Sequence, residues 1–369
     1  MKQKVLILYG GQSTEHEVSC RSAATIIKNL DPEHYDVMAI GITQSGQWLP
    51  QDVKRLRGES SKTLPIHTPQ VASAQIAQSA INPVTSLTHL SGAGSAANIV
   101  VFPIIHGTHG EDGTLQGLLE MANLAFVGPD TLGSAVGMDK GVAKKLCQAA
   151  GLPVAPFVEY RAESWARARK NAVEEVSSVM KYPVFVKPSR LGSSVGISKV
   201  RNAQELIVAC EKALQFDDKI LVEQGLDVRE IEFAALGGYD PEISVPGEVV
   251  PSAEFYTYEA KYLDEKGAEV IVPARNLTPE QVREGQVLSK KIFKALDLYG
   301  MARIDLFLEK KTGKYFFNEV NTIPGFTDIS QYPMLWRASG IDTPQLMTKL
   351  IDLALERKKT KDQLQRQRI

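Results

Sequence analysis

The sequence predicts an α/β layer with a largely parallel sheet at its amino end, followed by α+β units, on three observations. Short β-rich apolar runs alternate with helical patterns through the first part of the chain. Later, Arg303–Phe326 (RIDLFLEKKTGKYFFNEVNTIPGF) reads as two strands joined by a Lys-Lys-Thr-Gly turn, where glycine supplies the backbone freedom. The 369 residues, 43% apolar and 23% charged, suffice for two or three domains with substantial cores.

Lys4–Tyr9 is a buried strand that stops at Gly10-Gly11. Thr14 followed by Glu17 fits a capping box, and Val18, Ile26, Ile27 and Leu30 carry a helix to Asp31-Pro32. Val37–Ile42 and Ile99–Ile105 read as further buried strands, and Gly113–Asn123 as a helix. In such sheets ligands sit at the carboxyl ends of strands, where Gly10–Glu15 and His106–Gly113 both fall. Between them, Thr68–Asn98 contains no Asp, Glu, Lys or Arg and reads as an insertion. Its Gly92–Ala97 is a loose G-x-G-x-x-A that precedes a strand, so it fails as a dinucleotide fingerprint.

Met138-Asp139-Lys140 introduces a helix, Lys140–Ala150, closed by Gly151-Leu152-Pro153. Strands at Val184–Lys187 and Ile220–Glu223 flank a helix at Ala203–Leu214. Boundaries near residue 139 and at Gly237–Tyr239 give three domains, 1–139, 140–238 and 239–369. The tail Leu350–Ile369 is helical by periodicity, with a basic end read as frayed and solvated.

A net charge of −1 gives no electrostatic footprint for nucleic acid. Cys20, Cys147 and Cys210 are odd in number and far apart, so they form neither a metal set nor a disulfide framework, and a reducing compartment is expected. The opening apolar run is too short for a signal segment, and no run approaches a membrane span. A cytoplasmic enzyme is the expectation.

Four segments carry chemistry. Alternation along the hairpin puts Arg303 and Asp305 on one face of its first strand and Glu319 and Asn321 on one face of the second, with Asp305 about opposite Glu319. These oxygens suit Mg²⁺ or Mn²⁺ and leave positions for phosphate and water; the alternative is a solvated charged face. Lys187-Pro-Ser-Arg-Leu-Gly192-Ser193-Ser194-Val-Gly196 follows a buried strand, so its backbone N–H groups and hydroxyls could cradle phosphate, although a plain surface turn has the same composition. Glu223, with Glu230 and Glu232 following, could meet an adenine or ribose, or sit on an exposed edge. Phe255–Tyr262 is polar and aromatic at once, a flap or a strand and turn. Of the histidines, His34, His67 and His89 read as surface; His16 and His106, at strand-end loops, are the substrate candidates or else structural.

These motifs converge. Glu15-His-Glu-Val-Ser19 after Gly-Gly, His106-Gly-Thr-His-Gly-Glu-Asp-Gly113, Met138-Asp-Lys140, Lys187-Pro-Ser with Gly192–Gly196, Tyr258–Tyr262, Met301–Asp305 and Asn318–Phe326 occur in that order. The chain resembles the D-alanine–D-alanine ligases of bacterial cell-wall synthesis, over roughly residues 4–357. The resemblance implies an ATP-grasp fold preceded by an amino-terminal parallel-sheet α/β domain that holds the first D-alanine. The flap, the metal site and the second D-alanine site would belong to the last domain.

It further implies that Lys140, Lys187 and Lys261 contact ATP phosphates, with Ser193 and Ser194 in the phosphate loop. Glu223, Leu226 and Glu230 would line the adenine and ribose. Asp305, Glu319 and Asn321 would hold two Mg²⁺ ions, or Mn²⁺. Glu15 would bind the first D-alanine's ammonium with His106 nearby, and Glu15, Ser193 and Tyr262 would form a hydrogen-bonded set. Arg303 and the Gly325 N–H would face a developing oxyanion, and Ser330 with Gln331 the second D-alanine's carboxylate. Tyr262 favours an amino-acid acceptor over D-lactate, the depsipeptide alternative. A homodimer is the family's usual assembly.

Overall fold

The computed structural model describes residues 2–59, 63–67, 99–251 and 268–365. The Thr68–Asn98 insertion, the Phe255–Tyr262 flap with Lys261 and Tyr262, and residues 366–369 lie outside the described residues.

The amino-terminal layer runs β1 (Gln3–Gly10), α1 (His16–Asn29), β2 (Tyr35–Ile42), β3 (Trp48–Gln51), α2 (Val53–Gly58), β4 (Ile99–Pro103), α3 (Thr114–Met121) and β5 (Ala125–Phe126). Its sheet has the order β3-β2-β1-β4-β5. β1 is parallel to β2 and β4, β4 is parallel to β5, and β3 joins antiparallel. The unbroken apolar run of β1 is what a sheet covered on both faces requires. Val5, Ile7 and Tyr9 enter one core, while Leu6 and Leu8 enter the other. Because β1 lies between β2 and β4, the chain reverses direction across the sheet there. The loops after β1 and β4 open into that switch point, as expected.

One local expectation is overturned. The cap of α1 is Glu15, with no side-chain cap bond, so Thr14 and Glu17 do not form a capping box. The Ser13 hydroxyl accepts from the Glu15 N–H, and the Glu15 carboxylate is drawn away to a distant loop.

The middle of the chain adds α4 (Thr131–Met138), α5 (Lys140–Ala149), β6 (Phe157–Arg161), α6 (Ala162–Val179), β7 (Val184–Pro188), β8 (Ser198–Val200), α7 (Ala203–Ala213) and β9 (Lys219–Gln224). Asp139 caps α5 by accepting from the Val142 N–H at 3.0 Å. The sheet β6-β9-β7-β8 is antiparallel, with Trp165, Val176 and Leu206 buried against Val184, Ile220 and Val222.

The last part comprises β10 (Val228–Gly237), β11 (Glu242–Ile243), β12 (Gly247–Pro251), β13 (Ala268–Ile271), α8 (Pro279–Ala295), β14 (Gly300–Glu309), β15 (Tyr315–Asn321), α9 (Gln331–Ala338) and α10 (Thr343–Asp362). The antiparallel sheet β13-β12-β10-β14-β15 carries β11 on β10. Since β10 hydrogen-bonds along its whole length with β14, the change of sheet falls between Gln224 and Val228, upstream of the 238/239 division expected from sequence. Leu288, Ile292 and Phe293 of α8 cover Phe233, Ile304 and Phe317, and α5 contributes Ala143 and Cys147 to the same core.

α9 and α10 return to the amino-terminal sheet, where Tyr332, Leu335, Trp336, Leu346, Met347 and Leu350 share a core with Val5, Ile7 and Phe102. The basic end of α10 is therefore solvated only in part: Lys359 is exposed as expected, while Arg357 is not. Arg357 is buried and donates to the carbonyls of Phe126 and Gly128, both at 2.7 Å. Lys361 reaches Glu120 and Asp130.

Candidate active site

The hairpin has the register its sequence predicts. Asp305 pairs with Glu319 and Arg303 with Asn321. Alternation adds Glu232 of β10, opposite Asp305, and Glu230, opposite Phe307. The other face of β14 and β15, with Ile304, Leu306 and Val320, is buried in the core. A bulge follows: Leu306 pairs with Phe317, so Asn318 is an extra residue on β15. Its side-chain oxygen accepts from Lys187 Nζ at 3.4 Å.

Asp305, Glu232 and Glu319 on this face are each answered by a cation. Arg303 donates to both oxygens of Asp305, at 2.8 and 2.7 Å, and its Nε lies 3.0 Å from Glu232. Burial works against the Arg303 charge, but Asp305 and Glu232 outweigh it and hold the guanidinium protonated well above its ordinary range. Asn321 turns its amide nitrogen to Asp305 at 3.1 Å. Lys140 Nζ lies 3.0 Å from Glu319 and donates to the Leu191 carbonyl at 2.7 Å.

A buried triad sits behind. Glu223 pairs with Lys187 at 2.6 Å and with Lys144 at 2.5 Å, and Lys144 also donates to the Phe317 carbonyl at 3.1 Å. Burial alone would raise the Glu223 carboxyl, yet the two ammonium groups hold it below the usual range. Burial pushes Lys144 down against the pull of Glu223; at Lys187 the carboxylates prevail over burial and push it up. Leu226 lies in the turn between β9 and β10.

The loop after β7 meets the amino-terminal domain. Ser193 and Ser194 both take left-handed backbone, with φ of 54° and 60°. It is Ser193 whose hydroxyl donates to Glu15, at 2.5 Å. Gly107, with φ of +72°, packs on the same carboxylate: an added Cβ would stand 2.7 Å from the Glu15 oxygen.

His106 is buried with both ring nitrogens engaged. Nδ1 lies 2.9 Å from the Ile323 carbonyl and Nε2 3.3 Å from the Ser22 hydroxyl. Burial holds its pKa below the ordinary value. His16, the other candidate, has Nδ1 2.8 Å from the Gly11 carbonyl. Beside His106, the Glu111 carboxyl is pushed up to about 8 by burial and by the nearby Glu15. Ser330 caps the segment before α9, its oxygen accepting from the Thr327 N–H at 2.9 Å and lying 2.7 Å from the Thr327 hydroxyl. Gln331 has a buried side-chain oxygen without a partner. Gly325 is hemmed in, since an added Cβ would come within 2.7 Å of the Ser330 hydroxyl.

Glu15, Glu111, Lys140, Gly192, Glu319 and Asn321 thus line one cleft where the units meet. Family models described as "D-ala D-ala ligase N-terminus" and "D-ala D-ala ligase C-terminus" match residues 4–129 and 146–352. The chain belongs to the D-alanine–D-alanine ligase family. A D-alanine–D-alanine ligase of Ruminiclostridium cellulolyticum is 44% identical over 361 residues, covering 96% of each chain. D-alanine–D-alanine ligase A of Bradyrhizobium diazoefficiens is 43% identical over 368 residues, covering 99% of this chain and 98% of the relative. Among solved structures, the D-alanine–D-alanine ligase of Coxiella burnetii superposes with a TM-score of 0.79 at 32% identity, covering 98% of this chain and 96% of that one. The VanG D-Ala:D-Ser ligase of Enterococcus faecalis gives 0.78 at 34% identity, covering 96% and 100%. The fold is accordingly the ATP-grasp fold of these ligases behind an α/β domain.

Within this family frame, sequence reading missed Lys144, Ser22, the Arg303 partner Glu232 and the cross-domain role of Glu111. Lys144 had a signal: it lies one helical turn beyond Lys140 on α5, hence on the same face. Ser22 had none, because its partners come from distant loops.

Proposed function

We propose that this chain joins two molecules of D-alanine into D-alanyl-D-alanine with ATP, forming ADP and phosphate, for peptidoglycan precursor synthesis. The observation that carries this reading is the pairing of Asp305, itself gripped by Arg303, with Glu319, which lines a cleft together with Lys140 and Glu15. Phosphoryl transfer calls for positioning and charge neutralisation more than for covalent help, and the cleft supplies both.

In this reading the Glu15 carboxylate, steadied by Ser193, takes the ammonium of the first D-alanine with His106 nearby. Lys140, Lys187 and Lys261 take the ATP phosphates with the Ser193–Ser194 loop, and Glu223, Leu226 and Glu230 the adenine and ribose. The first D-alanine's carboxylate oxygen attacks the γ-phosphorus, ADP leaves, and an acyl phosphate remains. The deprotonated amine of a second D-alanine, its carboxylate at Ser330 and Gln331, attacks the acyl carbon. Phosphate leaves as the C–O bond breaks. Arg303 and the Gly325 N–H face the oxygen that becomes negative in between. By the resemblance Tyr262, outside the described residues, would favour an amino-acid acceptor.

The donor set fits a hard divalent cation: Asp305 and Glu319 lie opposite each other on paired strands with Asn321 next to them, all able to offer oxygen. Asp305, Glu319 and Asn321 would hold two Mg²⁺ ions, or Mn²⁺, which neutralise phosphate charge when bound. No helix among the described residues is long and apolar enough to cross a membrane. A cytoplasmic homodimer completes the proposal, with sedimentation analysis as the check on assembly.

The test is phosphate release with a panel of D- and L-amino acids and D-lactate. Release that requires both ATP and D-alanine is expected, with the dipeptide as product. Turnover of L-alanine in place of D-alanine would overturn the reading. A dominant ester from D-lactate, or a mixed dipeptide from D-serine, in competition with D-alanine would move the acceptor assignment.

A further inference from the structure

We infer that Glu111 is a positioning residue for the second chemical step, buckling the Ile323–Phe326 loop to the amino-terminal domain so that the Gly325 N–H is held in place. The inference rests on the reading that this N–H faces the acyl oxygen. Glu111 is 8% exposed. One of its oxygens accepts from the Gly107 N–H at 2.8 Å; the other accepts from the Ile323 N–H at 2.9 Å, 212 residues along the chain. The Ile323 carbonyl is held as well, 2.9 Å from His106 Nδ1. Both backbone polar groups of Ile323 are therefore gripped by the loop after β4.

The other end of the loop is fastened from the same domain. The Phe326 N–H donates to the Ser22 hydroxyl at 3.0 Å, and Ser22 lies 3.3 Å from His106 Nε2. Between these fixed ends stand only Pro324, whose ring sets φ, and Gly325, packed beside the Ser330 hydroxyl. A glycine so confined has little freedom to swing its N–H. That is the condition under which one donor contributes strongly to an oxyanion, because no reorganisation remains for the transition state. The Gly107 contact adds a link to the first step, since Gly107 packs on the Glu15 carboxylate. Glu111 thus ties the first-substrate loop and the oxyanion loop to one carboxylate.

A loosened loop has a specific signature. If attack at the acyl carbon slows while acyl phosphate still forms, water can attack its phosphorus, break the P–O bond and return D-alanine and phosphate. Phosphate release then exceeds dipeptide formation. Glu111→Gln keeps the shape but sets an amide NH₂ against one of the two N–H donors. Expected is a fall in kcat for dipeptide of about 10- to 100-fold, KM for ATP within about twofold of wild type, and more than one phosphate per dipeptide. Ser22→Ala, which releases the Phe326 N–H and the His106 Nε2 contact but leaves both Glu111 bonds in place, is expected to raise the same ratio, and the double variant to fall short of the product of the single effects.

Phosphate and dipeptide are measured on the same samples of full-length protein, with the folded fraction taken from thermal melts. A ratio of one in both variants, with rate loss matched by loss of folded protein, overturns the inference. If Glu111→Gln does not fold, the ratio for Ser22→Ala decides alone. Failure of the proposed activity looks different, because the wild type would then make no dipeptide.

Discussion

Ser193 donates a 2.5 Å hydrogen bond to Glu15 across 178 residues of chain. The contact joins the carboxyl end of β1 to the loop after β7, and so joins the proposed ammonium site to the proposed phosphate site. A charge-assisted bond this short fixes both partners. We expect Ser193→Ala and Glu15→Gln each to lower kcat/KM for D-alanine about 10-fold or more, with a double variant little worse than the poorer single one. A double-mutant cycle on initial rates checks this; additive losses would mean that the bond does not couple the two sites.

Glu319→Gln keeps the shape of the side chain and removes one of the two facing carboxylate charges. Lys140 retains its bond to the Leu191 carbonyl, so little of the fold should be lost. Turnover is expected to fall by roughly 10²-fold or more, with a weaker response to Mg²⁺. Rates measured across a Mg²⁺ titration decide, and a titration curve like that of wild type would take Glu319 out of the metal site.

Arg303 has two duties that substitution separates. It faces the proposed oxyanion, and it is the cation for the buried acids Asp305 and Glu232. Arg303→Ala should cut turnover about 10²-fold and cost about 3–5 kcal/mol of stability by stranding two buried carboxylates. Arg303→Lys keeps the charge but not the fork that grips Asp305 with two bonds, so it should recover much of the stability and little of the rate. Urea unfolding and kcat on the same preparations give the comparison; near-wild-type turnover in the alanine variant would move the oxyanion role elsewhere.

What could be read in advance was local. Asp305 opposite Glu319 follows from alternation and a glycine turn a few residues away, and both are written in neighbouring residues. The β1 and β4 loops followed from the rule for parallel sheets. What escaped depends on residues brought from afar. The bulge at Asn318 is set by how β15 pairs with β14, not by anything special about an asparagine. Thr14 and Glu17 fit a capping box locally, but Glu15 is committed to Ser193. Glu223 follows a strand-end pattern that says nothing of its partner Lys144, which sits on α5, far off in the chain. The pairing of β10 with β14, more than sixty residues on, is likewise set by residues far apart in the chain.

The end of α10 gives the last prediction, because here the charge pattern misled. Lysines and arginines near a carboxyl terminus usually lie in water, yet Arg357 is 6% exposed. Its guanidinium fills a place between Phe126 and Tyr299, 4.4 and 5.0 Å from their ring centres. Both of its terminal nitrogens are spent on the carbonyls of Phe126, which ends β5, and Gly128. Burial lowers its pKa, and the acids Asp130 and Glu120 pull the other way. Methionine has similar length and would fill much of the space, but it leaves two buried carbonyls without donors. Each lost charged bond of this kind is worth about 1.5–3 kcal/mol, so Arg357→Met should lower unfolding stability by roughly 3–5 kcal/mol. Because the partners of Arg357, namely Phe126, Gly128 and Tyr299, do not line the cleft, kcat of the folded fraction should hold near the wild-type value. Chemical denaturation with parallel rate measurements tests both halves: an unchanged denaturation midpoint would show the buried arginine to be replaceable by packing alone.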